Sequence, residues 1–191
     1  MEKGHGHDDS QDQHFHPPLL ALKGASLVRN GVTVFDEVSL EIQEKEFVFL
    51  VGQTGSGKST LLRIASMDLL PTSGSVLLGK YSSGTLRPNL VPQLRRQLGF
   101  IFQDARLLRD RSVFENVAFA LYVTGAKKNQ VKDRVFQVLD EVGLTHKSTD
   151  LPGGLSIAEQ QKVALARALV NDPLLILADE PTGNLDPSAS Y

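Results

Sequence analysis

FVFLVGQTGSGKST, Phe47 to Thr60, is an apolar run that breaks into a glycine-rich turn and then into Lys58, Ser59 and Thr60. The five apolar residues Phe47 to Val51 predict a short strand. Gly52, Gly57, Lys58 and Ser59 meet the spacing G-x-x-x-x-G-K-[ST]. The spacing has a physical reason. Backbone N–H groups must converge on phosphate oxygens, and side chains at the glycine positions would obstruct them. A helix starting at Lys58 would point its positive end at the same anion. Gln53, Thr54, Gly55, Ser56 and Thr60 complete the candidate phosphate-binding set. Lys58 would neutralise the β- and γ-phosphates, and the Ser59 hydroxyl would ligate Mg²⁺. The bland alternative is a chance glycine-rich turn, which the flanking strand and helix patterns disfavour.

The chain has 191 residues, which suits one domain with room for a small inserted one. Its formal net charge of −2 gives no basic signal for nucleic acid. It has no cysteine, so a disulfide framework and a thiolate metal site are excluded. No apolar run approaches the ~20 residues of a membrane span, and residues 1–18 lack the apolar segment of a secretory signal. The reading is a soluble domain in the cytoplasm. Residues 1–18 carry His5, His7, His14 and His16 and end in Pro17-Pro18. They read as a disordered His-rich tail, with a metal-binding tail as the sharper alternative.

Leu19 to Val28 and Val32 to Ile42 read as strands joined by a turn at Asn30-Gly31. Lys58 to Met67 reads as a helix burying Leu61, Leu62, Ile64 and Ala65. Ser75 to Leu78 is a short strand, Tyr81 to Pro92 is loop-like, and Gln93 to Gln97 is a short basic helix. Gly99 to Phe102 is a buried strand ending at Gln103. A helical block, about residues 105–172, follows. Ser112 with Glu115 and Ser156 with Glu159 are capping boxes. The first of these helices presents Val113, Val117, Phe119, Ala120 and Val123, and Gly125 stops it. Asn129 to Val142 is the second, carrying Val131, Val135, Val138 and Leu139. The third runs from Ser156 to Val170, and its alternating alanines allow close packing. Leu174 to Ala178 is a strand expected to be covered on both faces.

LLILADE, Leu174 to Glu180, places two carboxylates where that strand ends, the edge at which open α/β sheets bind ligands. Asp179 can hold Mg²⁺, and Glu180 can act as general base toward an attacking water. The alternative is a pair of solvated acids.

In this order the motifs resemble those of the ATP-binding subunits of ABC systems. Gln103 in FQD resembles the Q-loop, LSIAEQQKVALARAL (Leu155 to Leu169) the signature motif and its helix, and ADEPTGNLD (Ala178 to Asp186) the Walker B end and the D-loop at Asn184-Leu185-Asp186. The resemblance covers about residues 19–187. It implies an α/β P-loop NTPase with a RecA-like core sheet, an N-terminal antiparallel β subdomain and an inserted helical subdomain. It implies ATP and Mg²⁺ as ligands, with Gln103 contacting Mg²⁺ and the nucleophilic water. It also implies a second copy of the chain, arranged head to tail, so that Ser156 and Glu159 of one copy complete the ATP site of the other. Val91 to Gly125 and Ala178 to Pro187 resemble most the cell-division branch of the family, whose members sit at the cytoplasmic face of the inner membrane with an FtsX-like integral membrane subunit. ATPases of lipoprotein and macrolide export share PTGNLD.

Three departures from the pattern matter. The family signature is LSGGQ or LSGGE, and here Ile157 and Ala158 replace both glycines. A branched side chain where backbone must approach ligand predicts impaired closure of the ATP sandwich. The adenine-stacking aromatic is not obvious, leaving Arg29 or Phe35. No histidine follows His146, so the family's switch histidine is missing. The chain reads as truncated at its C-terminus, with an apolar edge exposed on Leu174 to Ala178.

Overall fold

The computed structural model describes residues 17–181 and 183. The four histidines of the tail, Thr182 and the Asn184-Leu185-Asp186 segment lie outside the described residues.

Strands β1 (Leu20–Arg29) and β2 (Val32–Ile42) form an antiparallel hairpin. Asn30 and Gly31 both take positive φ, 53° and 77°, as a two-residue turn matched to strand twist requires. β1 pairs on its other side with β3 (Ser73–Leu78), which pairs with the two-residue β4 (Tyr81–Ser82). The order is β2-β1-β3-β4, all antiparallel. Helix α1 (Lys58–Ala65) buries Ile64 and Ala65 against Leu20, Leu22, Val76 and Leu78 of this sheet. The short α2 (Val91–Arg95), which begins two residues before the predicted basic helix, adds Leu94 to the same core.

β5 (Leu98–Phe102) and β6 (Leu175–Asp179) form a separate parallel ladder, with Phe102 opposite Asp179. Of the parallel core sheet expected from the motifs, these two strands are the ones in register among the described residues. Helices α3 (Val113–Thr124), α4 (Lys128–Glu141) and α5 (Ile157–Leu169) lie between them in sequence and share one apolar core. Both predicted capping boxes form. Val131, Val135, Val138 and Leu139 of α4 are all buried, and Gly125 ends α3 at φ 84°. α5 lies close on β5. A Cβ on Gly99 would meet the Ala168 carbonyl at 3.0 Å and the Ala168 Cβ at 3.1 Å.

Three expectations are corrected. Phe47 to Val51 is not a strand. It has no regular element and no ladder partner among the described residues, and Phe47, Phe49 and Val51 are 84%, 79% and 84% exposed. A strand is made by its neighbours' hydrogen bonds, which an apolar run alone cannot supply. β6 is not covered on both faces: Leu177 is buried, while Leu174 and Ile176 are open to solvent. Among the described strands β6 pairs with β5 alone. Helix α3 buries Val113, Asn116, Val117, Ala118 and Leu121, and leaves Phe119 and Val123 outside. Asn116 can go inside because its amide is fully used. Its Oδ1 accepts from Leu108 N–H at 2.7 Å, and its Nδ2 donates to the carbonyls of Leu108, Arg111 and Ser112, each at 3.0 Å.

Candidate functional site

The glycine-rich loop closes onto α1 through Gly57, whose φ of 90° and ψ of 9° make it the residue before the helix. No side chain caps this end, so the first N–H groups of α1 are left for another acceptor. A Cβ on Gly57 would lie 3.2 Å from Val34 Cγ1, so β2 sits directly beneath the loop. Lys58 Nζ folds back to donate to the carbonyls of Gly52 and Gln53, both at 2.9 Å. Ser56 N–H donates to Gln53 O at 3.2 Å and tightens the turn that also holds Thr54 and Gly55. Thr60 is half-buried in the first turn of α1.

Ser59 Oγ donates to Asp179 Oδ1 at 2.9 Å. This bond joins two motifs 120 residues apart and brings the end of β6 to the phosphate loop. The Phe102–Asp179 register then places Gln103 beside the same end. Glu180 follows with φ 46°, and Gly183 N–H donates to its carbonyl at 3.0 Å. A Cβ on Gly183 would stand 3.1 Å from Gln103 Nε2, so Gln103 packs against this turn. Phe102, Gln103, Asp104, Arg106 and Asp179 line a cavity of about 440 Å³. Arg106 crosses the Phe102 ring at 4.0 Å and pairs with Asp104 at 3.2 Å. A second cavity of similar size, around Lys80, Tyr81 and Arg96, opens at the other end of β5 and β6, away from the loop.

Among the described residues no cluster of three His, Asp or Glu forms a metal cage. The donor set at the loop nonetheless suits Mg²⁺, which prefers one or two hard oxygens plus phosphate. Ser59 Oγ and the Asp179 carboxylate are such oxygens, already within hydrogen-bonding distance of each other.

The signature residues lie elsewhere. Ser156 N–H donates to Glu159 Oε2 at 2.8 Å, and Glu159 N–H donates to Ser156 Oγ at 3.2 Å. Hydrogen bonds from Ser156, the backbone N–H above all, hold the Glu159 carboxyl below the usual carboxylate range. Among the described residues no hydrogen bond or ion pair joins Ser156 or Glu159 to residues 52–60. Ile157 is 54% exposed on the first turn of α5. Of the two adenine candidates, Arg29 is exposed and Phe35 lies beside the loop, 3.8 Å from the Gly57 Cβ position.

Sequence reasoning missed Gln161 and Arg167 of α5, which bond the backbone around Gln103. The available signal was that both lie on the helix face that also carries Ala164 and Ala168, which pack toward β5 and the Gln103 segment.

The family described as ABC transporter matches residues 35–183. The chain is 50% identical over 155 residues to the cell division ATP-binding protein FtsE of Mycobacterium tuberculosis, covering 81% of this chain and 67% of that one. It is 45% identical over 162 residues to FtsE of Bacillus subtilis, covering 85% and 71%, and 46% identical over 160 residues to FtsE of Escherichia coli K12, covering 84% and 72%. Among solved structures it is similar to a dimeric ATP-binding cassette in a post-hydrolysis state bound to ADP and Pi. The TM-score there is 0.77 at 33% identity, over 89% of this chain and 77% of that one. It is also similar to CbiO1 of Clostridium perfringens, part of an ABC transporter complex, with a TM-score of 0.84 at 26% identity, over 91% and 70%.

Proposed function

The chain belongs to the ABC transporter ATP-binding family, and on that premise we propose that it is the ATP-binding subunit of an FtsE–FtsX-like complex. It couples MgATP binding and hydrolysis to an integral membrane partner in cell division and cell-wall remodelling, from the cytoplasmic face of the membrane. The observation that carries the reading is the 2.9 Å contact of Ser59 with Asp179, which assembles the phosphate loop and the acidic strand end into one site.

In this site the backbone N–H groups of residues 52–60 and the Lys58 ammonium hold the phosphates of ATP. Ser59 and Asp179 hold Mg²⁺, which neutralises phosphate charge when bound. Glu180 orients and deprotonates the attacking water, and Gln103 faces the same water. Catalysis is positioning and charge stabilisation. The separation of Ser156 and Glu159 from the chain's own loop supports a head-to-tail dimer, in which each copy's signature closes the other's site. The dimeric state of the similar cassette supports the same arrangement.

Ile157 favours a second reading, a subunit that binds nucleotide without turnover. Its exposed branched side chain stands where a facing phosphate would need bare backbone.

Measuring MgATP affinity and turnover in the native chain and in Glu180→Gln tests both readings. The expected result is binding within about twofold of native and turnover lowered roughly 10²- to 10⁴-fold. Equal turnover in the variant removes Glu180 from its role. Native binding without turnover selects the second reading, and absence of native binding overturns both.

A further inference from the structure

The backbone around Gln103 is held from α5 at four carbonyls within five residues. Gln161 Nε2 donates to Phe102 O at 3.2 Å and to Gln103 O at 2.6 Å. The Arg167 guanidinium donates to Ala105 O at 2.6 Å and to Arg106 O at 2.8 Å. The segment needs holding. Ala105 and Arg106 take positive φ, 21° and 48°, a region that L side chains disfavour.

The two grips are matched to their task. Gln161 is buried, and its Oε1 has no hydrogen-bond partner among the described residues. Turning the amide over would set Oε1 against two carbonyl oxygens, so the acceptors on the loop fix its orientation. The planar fork of Arg167 reaches two adjacent carbonyls together, which an ammonium does less well. Burial pulls the Arg167 guanidinium down from the ordinary arginine range.

α5 is one continuous helix of 13 residues, about 20 Å long, and it begins at Ser156 and Glu159. We infer that Gln161 and Arg167 are positioning residues that fix the Gln103 segment to α5, so that a displacement at the Ser156–Glu159 end of the helix is carried to Gln103 in the chain's own nucleotide site. The inference rests on the ATP-binding reading above for its function, and on the four hydrogen bonds for its mechanics. Under that reading the two ends of α5 serve different ATP sites: the cap meets the facing copy's nucleotide, and the body sets the Gln103 loop of its own. The grip gives the two sites a rigid connection inside one chain.

The test uses the full chain with Gln161→Glu, Arg167→Met and Arg167→Lys. Gln161→Glu keeps the size and puts a carboxylate against two carbonyls. Hydrogen–deuterium exchange of amides 103–108 is expected to rise about tenfold in Gln161→Glu and Arg167→Met, the loss of one or two net hydrogen bonds. Exchange in α4 and β1 stays at the native rate, and Arg167→Lys recovers part of the protection. MgATP affinity stays within about twofold, while kcat falls roughly 10- to 100-fold through misplacement of Gln103. If the native chain binds MgATP without turnover, the second readout is the protection that MgATP confers on amides 103–108, present in the native chain and lost in the variants. Unchanged loop exchange in folded variants overturns the grip, as does a rise spread evenly over α3, α4 and the loop. Raised loop exchange with native kcat, or with native protection by MgATP, overturns the coupling. A native chain that binds no MgATP overturns the functional reading instead, and the exchange comparison still decides the grip.

Discussion

Glu115 and Glu159 do the same work at two helix starts. The carboxylate of each accepts from the backbone N–H of its capping serine, at 2.8 Å in both cases, and the glutamate's own backbone N–H donates to the serine Oγ at 3.2 Å. In both, the hydrogen bond that the serine backbone N–H donates is the largest cause of a carboxyl held below its ordinary value, and the serine side chain is next. The sign of the pH effect follows. A carboxyl depressed in the folded state stabilises it above the unfolded value of 4.5, and that stabilisation is lost as pH falls through the folded value. Tm is therefore expected to decline as pH drops below about 4.5. Glutamine keeps an acceptor for the serine N–H and does not titrate. Glu115→Gln and Glu159→Gln should each flatten that decline, and a calorimetric series from neutral to acid pH reads it. An acid limb identical to native in both variants would mean that other carboxylates govern it.

The packing of α5 on β5 connects these caps to the site, and it leaves no spare volume. A Cβ on Gly99 would stand 3.0 Å from Ala168 O, 3.1 Å from Ala168 Cβ and 3.3 Å from Ile176 Cγ1. Gly99→Val should destabilise by about 1–3 kcal/mol through overpacking, read as a lower urea midpoint at unchanged m-value. Gly99→Ala should cost less, and a native midpoint for valine would show that the helix can ride away from the strand. The sequence carried the signs for this part of the fold. Capping boxes at Ser112 and Ser156, the stop at Gly125 and the Asn30-Gly31 turn are local chemistry, and each reads correctly without its neighbours. The phosphate loop and the acidic end of β6 were equally visible, because their spacing is fixed by the backbone they need. What could not be read was set by contacts across the chain. Asn116 is polar, and only the four backbone groups it satisfies explain why it is inside while Phe119 is out. The roles of Gln161 and Arg167 come from the carbonyls of Phe102, Gln103, Ala105 and Arg106 beside them, which are distant in sequence. Phe47 to Val51 had the composition of a buried strand, and composition does not supply a ladder.

That last segment bears on an expectation about the whole chain in solution. The described strands form a four-stranded antiparallel sheet and a separate two-stranded parallel ladder, linked at the phosphate loop by the bond from Ser59 to Asp179. Phe47 to Val51 leads into that loop unpaired among the described residues, with Phe47 and Phe49 packed edge to face at 5.0 Å in open solvent. β6 pairs only with β5 among the described strands and exposes Leu174 and Ile176. An exposed apolar run and an open strand edge each favour pairing with another chain, because burial is favourable at about 25 cal/mol per Å² and an edge offers free backbone groups. The chain is therefore expected to associate with rising concentration and to bind an apolar dye. Phe47→Lys with Phe49→Lys should suppress both, since a charge at such a run opposes stacking without touching residues 52–60. Sedimentation velocity over a concentration series, with dye fluorescence alongside, measures it. A monodisperse native chain across that series would mean that the run is covered in solution, and unchanged association in the double variant would move the contact to the β6 edge, where Ile176→Lys is the next substitution to compare.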